Sequence, residues 1–163
     1  MTGRRPNDPR DLAGEIGKTT PFDHPAQEAY LNLARTRSVL SEHFSPSLRN
    51  HGLTESQYNV LRIVESAGAA GIRTEDIRKR LVERGPDVSR LIDRLEGQGL
   101  IRRTTDEVDR RVRHIHLEPE GVHLLASLRP EIDRIHREHL SHLSDDELSM
   151  LNRILFRARH PGS

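Results

Sequence analysis

The spacing of apolar residues along the chain is mostly that of amphipathic helices. Near the N-terminus, apolar positions recur every three or four residues from about Pro25 to Phe44, which predicts a long helix. Ser45 followed by Pro46 is typical of a helix start. We therefore expect the first helix to end there and a short second segment to cover residues 46–50.

Two further helices follow from capping signals combined with apolar periodicity. Thr54 and Gln57 have the spacing of a capping box, so a helix is predicted from this point to Gly68. The next helix is predicted over Glu75–Glu83, with Thr74 as its N-cap. This helix is short and polar on one side, so we expect it to support the helix that follows it in the chain.

The most clearly amphipathic helix is predicted to start at Pro86. Gly97 and Gly99 are expected to end it. One side of this predicted helix is an apolar stripe of Val88, Leu91, Ile92 and Leu95. The opposite side carries Ser89, Arg90, Asp93 and Arg94. Such a helix docks on a core with one side and leaves the other free to enter a DNA major groove.

Alternation replaces the helical spacing after Gly99. Residues 100–105 and 110–117 predict two short strands, joined by an acidic loop over 106–109. A helix-turn-helix followed by a hairpin is a winged helix, so the expected fold is mainly α with a small β-hairpin wing. Three arginines of the hairpin are expected to reach the phosphate backbone or the minor groove: Arg110, Arg111 and Arg113.

Major-groove contacts are expected from the outward side of the helix that starts at Pro86. The candidates are Ser89, Arg90 and Arg94, because hydroxyl and guanidinium groups bond both phosphates and base edges. Asp87 lies in the first turn and has two open interpretations. It is an N-terminal cap that favours the helix dipole, or it accepts a hydrogen bond from cytosine N4.

Two long helices are predicted at the C-terminal end of the chain. The first runs from Pro119 to about His142 and has an apolar seam of Leu125, Leu128, Ile132 and Ile135, with Pro130 expected to bend it. The second starts at the capping-box pair Ser144 and Glu147 and carries Leu148, Leu151, Leu155 and Ala158 on one side. We interpret both seams as the interface of a two-fold homodimer.

Composition limits the functions that remain. Of the 163 residues only 33% are apolar, a thin core for a monomer, and the absence of cysteine excludes disulfides, thiolate metal sites and thiol redox sensing. The net charge is +1, but residues 73–113 hold twelve Lys and Arg against nine Asp and Glu, an excess of three. No apolar segment reaches the roughly eighteen residues of a membrane span and no N-terminal signal is present, so we expect a cytoplasmic protein without a membrane partner.

The order and spacing of these motifs resemble the MarR family of bacterial transcriptional regulators. The matching segments are Leu95-Glu96 to Gly99-Leu100, Arg102-Arg103, Asp109-Arg110-Arg111 and Leu117-Glu118-Pro119-Glu120-Gly121. In the family the last of these usually reads Leu-Thr-Pro-x-Gly, so Glu118 replaces the usual cap. Pro86-Asp87 also departs from the family, which often has small polar residues there. The resemblance covers roughly Pro25 to Arg159.

The resemblance implies a dimeric repressor that binds pseudo-palindromic operators in double-stranded DNA. In its terms residues 53–118 form the winged helix-turn-helix part, and residues 23–52 and 119–160 form the dimerisation helices. Together they make a single domain over 23–163, preceded by a flexible arm over 1–22. The helix that starts at Pro86 is the recognition helix in these terms. The resemblance also implies a pocket for a small-molecule effector, which would bias the distance between the recognition helices of the two subunits. Its expected lining is Tyr30, Phe44, His51, Tyr58 and Arg62. No cofactor is expected.

The residues leave two alternatives open. His136, His139 and His142 are spaced three apart and could share a metal, which would make the protein a zinc-type metal-responsive regulator. The same histidines also suit the dipole at a helix C-terminus. A winged helix can instead serve as a protein-interaction module. Enzymatic activity is not expected, because the chain has no glycine-rich phosphate loop and no serine elbow.

Overall fold

The computed structural model describes residues 11–106, 109–110 and 112–162, and it divides into two compact units that meet in sequence between His43 and Phe44. The first unit contains a short helix, α1 (Leu12–Glu15). Asp11 caps it by accepting from the Gly14 N–H at 2.9 Å. Whether residues 1–22 form a flexible arm stays a prediction, and residues 1–10 lie outside the described part.

The long N-terminal helix, α2, covers Pro25–Arg49 without interruption, so the predicted break at Pro46 is wrong. Pro46 removes one hydrogen bond from the ladder, but the Asn50 N–H still donates to its carbonyl at 3.1 Å. The Ser45 hydroxyl does not cap a new helix, because it donates to the Glu55 carboxylate instead. Burial of Leu48 in the core of the second unit favours continuing the helix over the local break.

The third helix, α3, covers Glu55–Ser66 and has the predicted capping box. The Gln57 N–H donates to the Thr54 hydroxyl at 3.2 Å, and the Thr54 N–H donates to the Gln57 side chain at 2.9 Å. A 3-10 turn over Gly68–Ala70 follows it. The second predicted capping box is confirmed as well, since Ser144 and Glu147 form the same arrangement at the start of the last helix.

The next helix, α4, covers Thr74–Arg80, which is shorter than the predicted Glu75–Glu83. Its N-cap is Arg73 without a side-chain bond, so the predicted cap by Thr74 is wrong. The helix stops early because the Val82 N–H turns away and donates to the Asn59 side chain on α3 at 3.0 Å. A tertiary bond therefore replaces the last predicted turn.

The sheet has three antiparallel strands rather than the two predicted. The wing strands are β2 (Ile101–Thr105) and β3 (Arg113–Leu117), and a two-residue strand β1 (Ile72–Arg73) pairs with the other edge of β3. Ile115 lies opposite both Ile72 and Arg103 in this register. The wing is thus joined to the segment that leads into α4.

The C-terminal helices are α6 (Pro119–Leu140) and α7 (Asp145–Arg159), and α6 continues as a helix through Pro130. The predicted role of the α6 seam is wrong. All four seam residues are buried in the core of the same unit, where they join residues of α3, α4, α5 (Val88–Gly97) and the sheet: Leu125, Leu128, Ile132 and Ile135. The described residues of α7, by contrast, include no buried side chain.

The start of α6 is fitted closely against the start of the wing. The Glu118 N–H donates to the Leu100 carbonyl at 3.0 Å, and Gly121 lies directly against the same carbonyl. A Cβ atom at Gly121 would come within 2.2 Å of the Leu100 oxygen, well inside van der Waals contact. Glycine at this position therefore lets α6 pack on the strand that leaves the α5 helix.

Arg103 of β2 joins the wing to α5. Its guanidinium bonds the carboxylates of both Asp93 and Glu96, and its backbone N–H donates to Glu96 at 3.1 Å. The side chain is only 25% exposed, so water competes weakly for these bonds. The sequence analysis did not identify this connection, which fixes the first wing strand against the polar side of the helix.

Substitution of Gly121 by alanine is expected to destabilise the fold by about 1–3 kcal/mol, because the added methyl group overlaps the Leu100 carbonyl. Gly97→Ala is the matched control, since Gly97 is also helical and nothing lies within 4 Å of its added Cβ. That control should leave stability unchanged or raise it by about 0.5–1 kcal/mol. Urea unfolding followed by circular dichroism measures both, and equal effects would contradict the close packing.

Arg103→Ala is expected to lower the free energy of unfolding by about 1–2 kcal/mol, because it leaves the partly covered Glu96 carboxylate and the exposed Asp93 carboxylate without their shared partner. The neighbouring Arg102 is the control. It pairs with Glu118 at 3.0 Å while 53% exposed, and its loss should cost about 0–0.5 kcal/mol. A similar cost for both variants in urea unfolding would show that the Arg103 connection is not stabilising.

Candidate nucleic-acid interface

The helix α5 has one buried side and one exposed side, as its sequence predicts. Val88, Ile92 and Leu95 are at most 1% exposed and belong to the core of the second unit. Leu91 is partly buried and packs against the same core. The four polar residues of the other side are all exposed: Ser89, Arg90, Asp93 and Arg94. The core therefore determines which side chains of this helix an external partner can reach.

Asp87 is the N-cap of α5, which confirms the first of its two interpretations. Its Oδ1 accepts from the N–H groups of Ser89 at 3.1 Å and Arg90 at 3.3 Å. Its Oδ2 lies 3.2 Å from Nε of Arg90. Pro86 precedes the cap and lies outside the helix. The negative charge of this carboxylate interacts favourably with the positive end of the helix dipole.

The end of α5 leads directly into the wing. Gly99 adopts a φ of +71°, a left-handed conformation that favours glycine, and the Leu100 N–H then bonds back to the Leu95 carbonyl at 3.0 Å. The chain enters β2 one residue later. This tight ending and the Arg103 bonds together hold the wing close to the exposed side of α5.

The tip of the wing is organised by Asp106. Its Oδ1 accepts from the Asp109 N–H at 3.0 Å, and its Oδ2 lies 3.0 Å from Nε2 of His114. Arg110 and Arg113 are exposed on this hairpin. The third predicted wing arginine, Arg111, lies outside the described residues, as do residues 107 and 108 of the loop.

Several cations of this region have no carboxylate partner within the described part of the chain. They are Arg94 on α5 and Arg110 and Arg113 on the wing, whereas Arg90, Arg102 and Arg103 each form an ion pair. An exposed guanidinium without an internal partner offers all its donors to an external anion. The exposed side of α5 and the wing therefore present free positive charge within the same compact unit.

His116 is a partly buried structural residue at the base of the wing. Its ring lies against Gly71, whose φ of +68° and lack of a side chain admit the close approach, and Nε2 lies 2.9 Å from the Thr104 hydroxyl. Burial lowers the pKa of His116, and the charges of Arg102 and His114 lower it further. The ring is therefore neutral at pH 7 and contributes packing rather than charge.

The residues predicted to line an effector pocket are only partly brought together. Phe44 contacts Tyr58 edge to face, with ring centroids 6.0 Å apart. Burial raises the pKa of the Tyr58 phenol, against the opposing charge of Arg62, which itself pairs with Glu65 at 3.4 Å. His51 is exposed. Tyr30 belongs to the first unit, where 73% of its surface is exposed.

The histidine row does not form a metal centre in the described residues, which contain no group of three or more His, Cys, Asp or Glu side chains able to hold an ion. His136 stacks on the Phe44 ring with centroids 5.4 Å apart, so this ring serves in packing. His142 is exposed, and His139 has other interactions.

In the described ranges no helix is both long and apolar enough to cross a membrane.

Comparison with known proteins agrees with this architecture. The model of the MarR family matches residues 53–112. The transcriptional regulator HosA of Escherichia coli O111:H- is 31% identical over 103 residues, which are 63% of this chain and 75% of HosA. A MarR transcription factor of Planctomyces limnophilus has a crystal structure that matches with a TM-score of 0.64 and 38% identity, over 83% of this chain and 98% of that one.

A further solved structure holds DNA. The Staphylococcus aureus MepR–DNA complex matches with a TM-score of 0.71 and 28% identity, over 79% of this chain and 95% of that chain. The predicted family and the winged-helix fold are confirmed by these matches, and the family match spans the α5 helix and the first wing strand, β2. The chain belongs to the MarR family of transcriptional regulators.

Proposed function

We propose that the protein is a homodimeric repressor that binds a pseudo-palindromic operator in double-stranded DNA, with α5 in the major groove and the wing beside it. The observation that carries this proposal is the division of α5. Its apolar side is buried in the core. Its exposed side carries arginines, and the neighbouring wing carries further exposed arginines. A regulator bound over a promoter excludes the polymerase, which accounts for repression.

Individual contacts are assigned by charge and exposure. Arg94 has no carboxylate partner in the described ranges, so it suits a phosphate or a guanine edge in the major groove. Ser89 lies one turn nearer the helix start and suits a phosphate or base contact. Arg110 and Arg113 of the wing suit the backbone or the minor groove, and Arg111 is assigned with them from the sequence alone.

A second copy of the chain is proposed as the partner that covers α7. This helix buries none of its described side chains, although it is amphipathic. Its exposed apolar residues include Met150, Leu151, Ile154 and Phe156. A two-fold interface built on such a helix places two recognition helices on one DNA face, about 34–36 Å apart for half-sites one turn apart.

A small-molecule effector is part of the proposal. The rings of Phe44 and Tyr58, which meet at an interplanar angle of 72°, offer apolar surface, and the nearby Arg62 adds one cation, which pairs with Glu65 in the absence of a ligand. An apolar organic anion is the ligand class that such a surface suits. To regulate DNA binding, this ligand must bind the DNA-competent arrangement with a different affinity from the other.

Arg94→Ala and Arg110→Ala are each expected to weaken DNA binding about tenfold while leaving the fold intact, because each removes a cation that lies near the duplex. The measurement is a fluorescence anisotropy titration at several salt concentrations, on a duplex selected by the wild-type chain from a random pool. The slope of log K against log salt should fall by about one for a lost phosphate contact.

Arg134→Ala is the matched control for this titration. Arg134 is also an exposed arginine, but it lies on α6 and pairs with Glu138 at 2.6 Å. Affinity unchanged in the Arg94 and Arg110 variants, or lost equally in the control, would contradict the proposed interface. Binding with little salt dependence and no sequence preference would favour a protein-interaction module instead.

The double variant Leu151→Glu, Ile154→Glu is expected to convert the dimer to a monomer, because it places charges on the exposed apolar surface of α7. Light scattering coupled to size-exclusion chromatography measures the change in mass. Val122→Glu on α6 is the control, since Val122 is an apolar residue of similar exposure. A wild-type chain that is monomeric at micromolar concentration, or a double variant that remains dimeric, would contradict this interface.

A further inference from the structure

We propose that Asp87 is a specificity-determining residue that orients Arg90 so that its two terminal nitrogens read a guanine in the major groove. This inference rests on the proposed DNA-binding function of α5 and adds a base preference to it. The Asp87 carboxylate has two oxygens with two different partners, and this division of its bonds is the basis of the proposal.

One oxygen of Asp87 is fixed by the backbone. Oδ1 accepts from two consecutive N–H groups, those of Ser89 and Arg90, at 3.1 and 3.3 Å. Because both donors belong to the first turn of α5, the carboxylate is held in one position relative to the helix axis. The second oxygen, Oδ2, therefore has a defined position as well, on the exposed side of the helix start.

The second oxygen binds one particular nitrogen of Arg90. Oδ2 lies 3.2 Å from Nε, the nitrogen nearest the side-chain stem. With Nε occupied, the donors that remain for an external acceptor are the two terminal amino groups at the tip of the guanidinium. These groups form a planar fork that matches the O6 and N7 acceptors of guanine. The Arg90 side chain is 81% exposed, so a base edge has access to it.

The acid–base pairs of α5 differ in what they can do. The Asp93 carboxylate binds Arg103, which is mostly covered and belongs to the wing, so this pair connects two elements of the same chain. The Asp87–Arg90 pair lies at the exposed start of the helix and connects nothing else. An exposed ion pair of this kind contributes little to folding stability. Its value is in limiting the conformations of an arginine that is otherwise free to contact phosphates on any sequence.

The charge of Asp87 adds to this selectivity. A carboxylate near the phosphate backbone weakens attraction to all DNA, whereas the oriented fork favours only a sequence with guanine at the right position. Asp87 is therefore expected to lower affinity for unrelated DNA and to raise the preference for the cognate site. Affinity and preference should change in opposite directions when the carboxylate is replaced.

Asp87→Asn separates the two functions of this side chain. Asparagine is as good an N-cap as aspartate, so the start of α5 is retained, but the charge that attracts the Arg90 guanidinium is lost. Asp76→Asn is the matched control, because it removes the same charge from another exposed acid–base pair three residues apart, that with Lys79 on α4, and leaves Arg90 and the Arg103 connection intact. Arg90→Lys keeps the positive charge and removes the fork.

The experiment is selection of duplexes from a random pool by the full-length wild-type chain and by each variant, followed by anisotropy titrations. The wild-type half-site is expected to contain a guanine whose replacement by adenine or 7-deazaguanine weakens binding about tenfold. This discrimination should fall to near onefold in Asp87→Asn and in Arg90→Lys and stay in Asp76→Asn. Asp87→Asn should also bind unrelated duplexes more tightly than the wild type.

Three results would overturn the inference. The first is undiminished guanine discrimination in Asp87→Asn. The second is discrimination lost in Asp87→Asn but kept in Arg90→Lys, which would mean that Asp87 reads the base pair itself. The third is a selected half-site without guanine. A failure of the underlying function is separate and recognisable, because the wild-type chain would then select no sequence and Arg94→Ala would not change its binding.

Discussion

Burial of three side chains of α5 is the interaction on which the rest of the interface depends. Val88, Ile92 and Leu95 are enclosed by the core of the second unit, and this fixes the rotation of the helix about its own axis. A helix turned by one residue would place either Arg90 and Arg94 or Asp93 in the core, at a cost of several kcal/mol for each charge left unpaired. The exposed side of α5 is thus a consequence of apolar packing.

Local sequence signals predicted much of this fold, because they act within a few residues. The spacing of residues predicted the Thr54 and Ser144 capping boxes, the two sides of α5 and the wing strands β2 and β3. The failures involve contacts between distant segments. β1 has only two residues and no periodicity of its own, and α2 continues through Pro46 because Leu48 is held by the core.

The seam of α6 illustrates a different limit. Its periodicity correctly indicated that Leu125, Leu128, Ile132 and Ile135 would be buried, but periodicity does not identify what covers a face. The same limit applies to the candidate site. Exposure of Arg90 and Arg94 was predictable, whereas the Arg103 connection and the position of the Arg90 guanidinium depend on side-chain geometry.

The buried seam of α6 has a consequence for assembly. Because these leucines and isoleucines are buried within one chain, the apolar core behind α5 does not require a second copy for its completion. In the proposed homodimer, dilution that separates the two copies would leave the winged helix of each one folded. Mass action would then govern how firmly paired half-sites are held, while the melting of each winged helix would be independent of protein concentration.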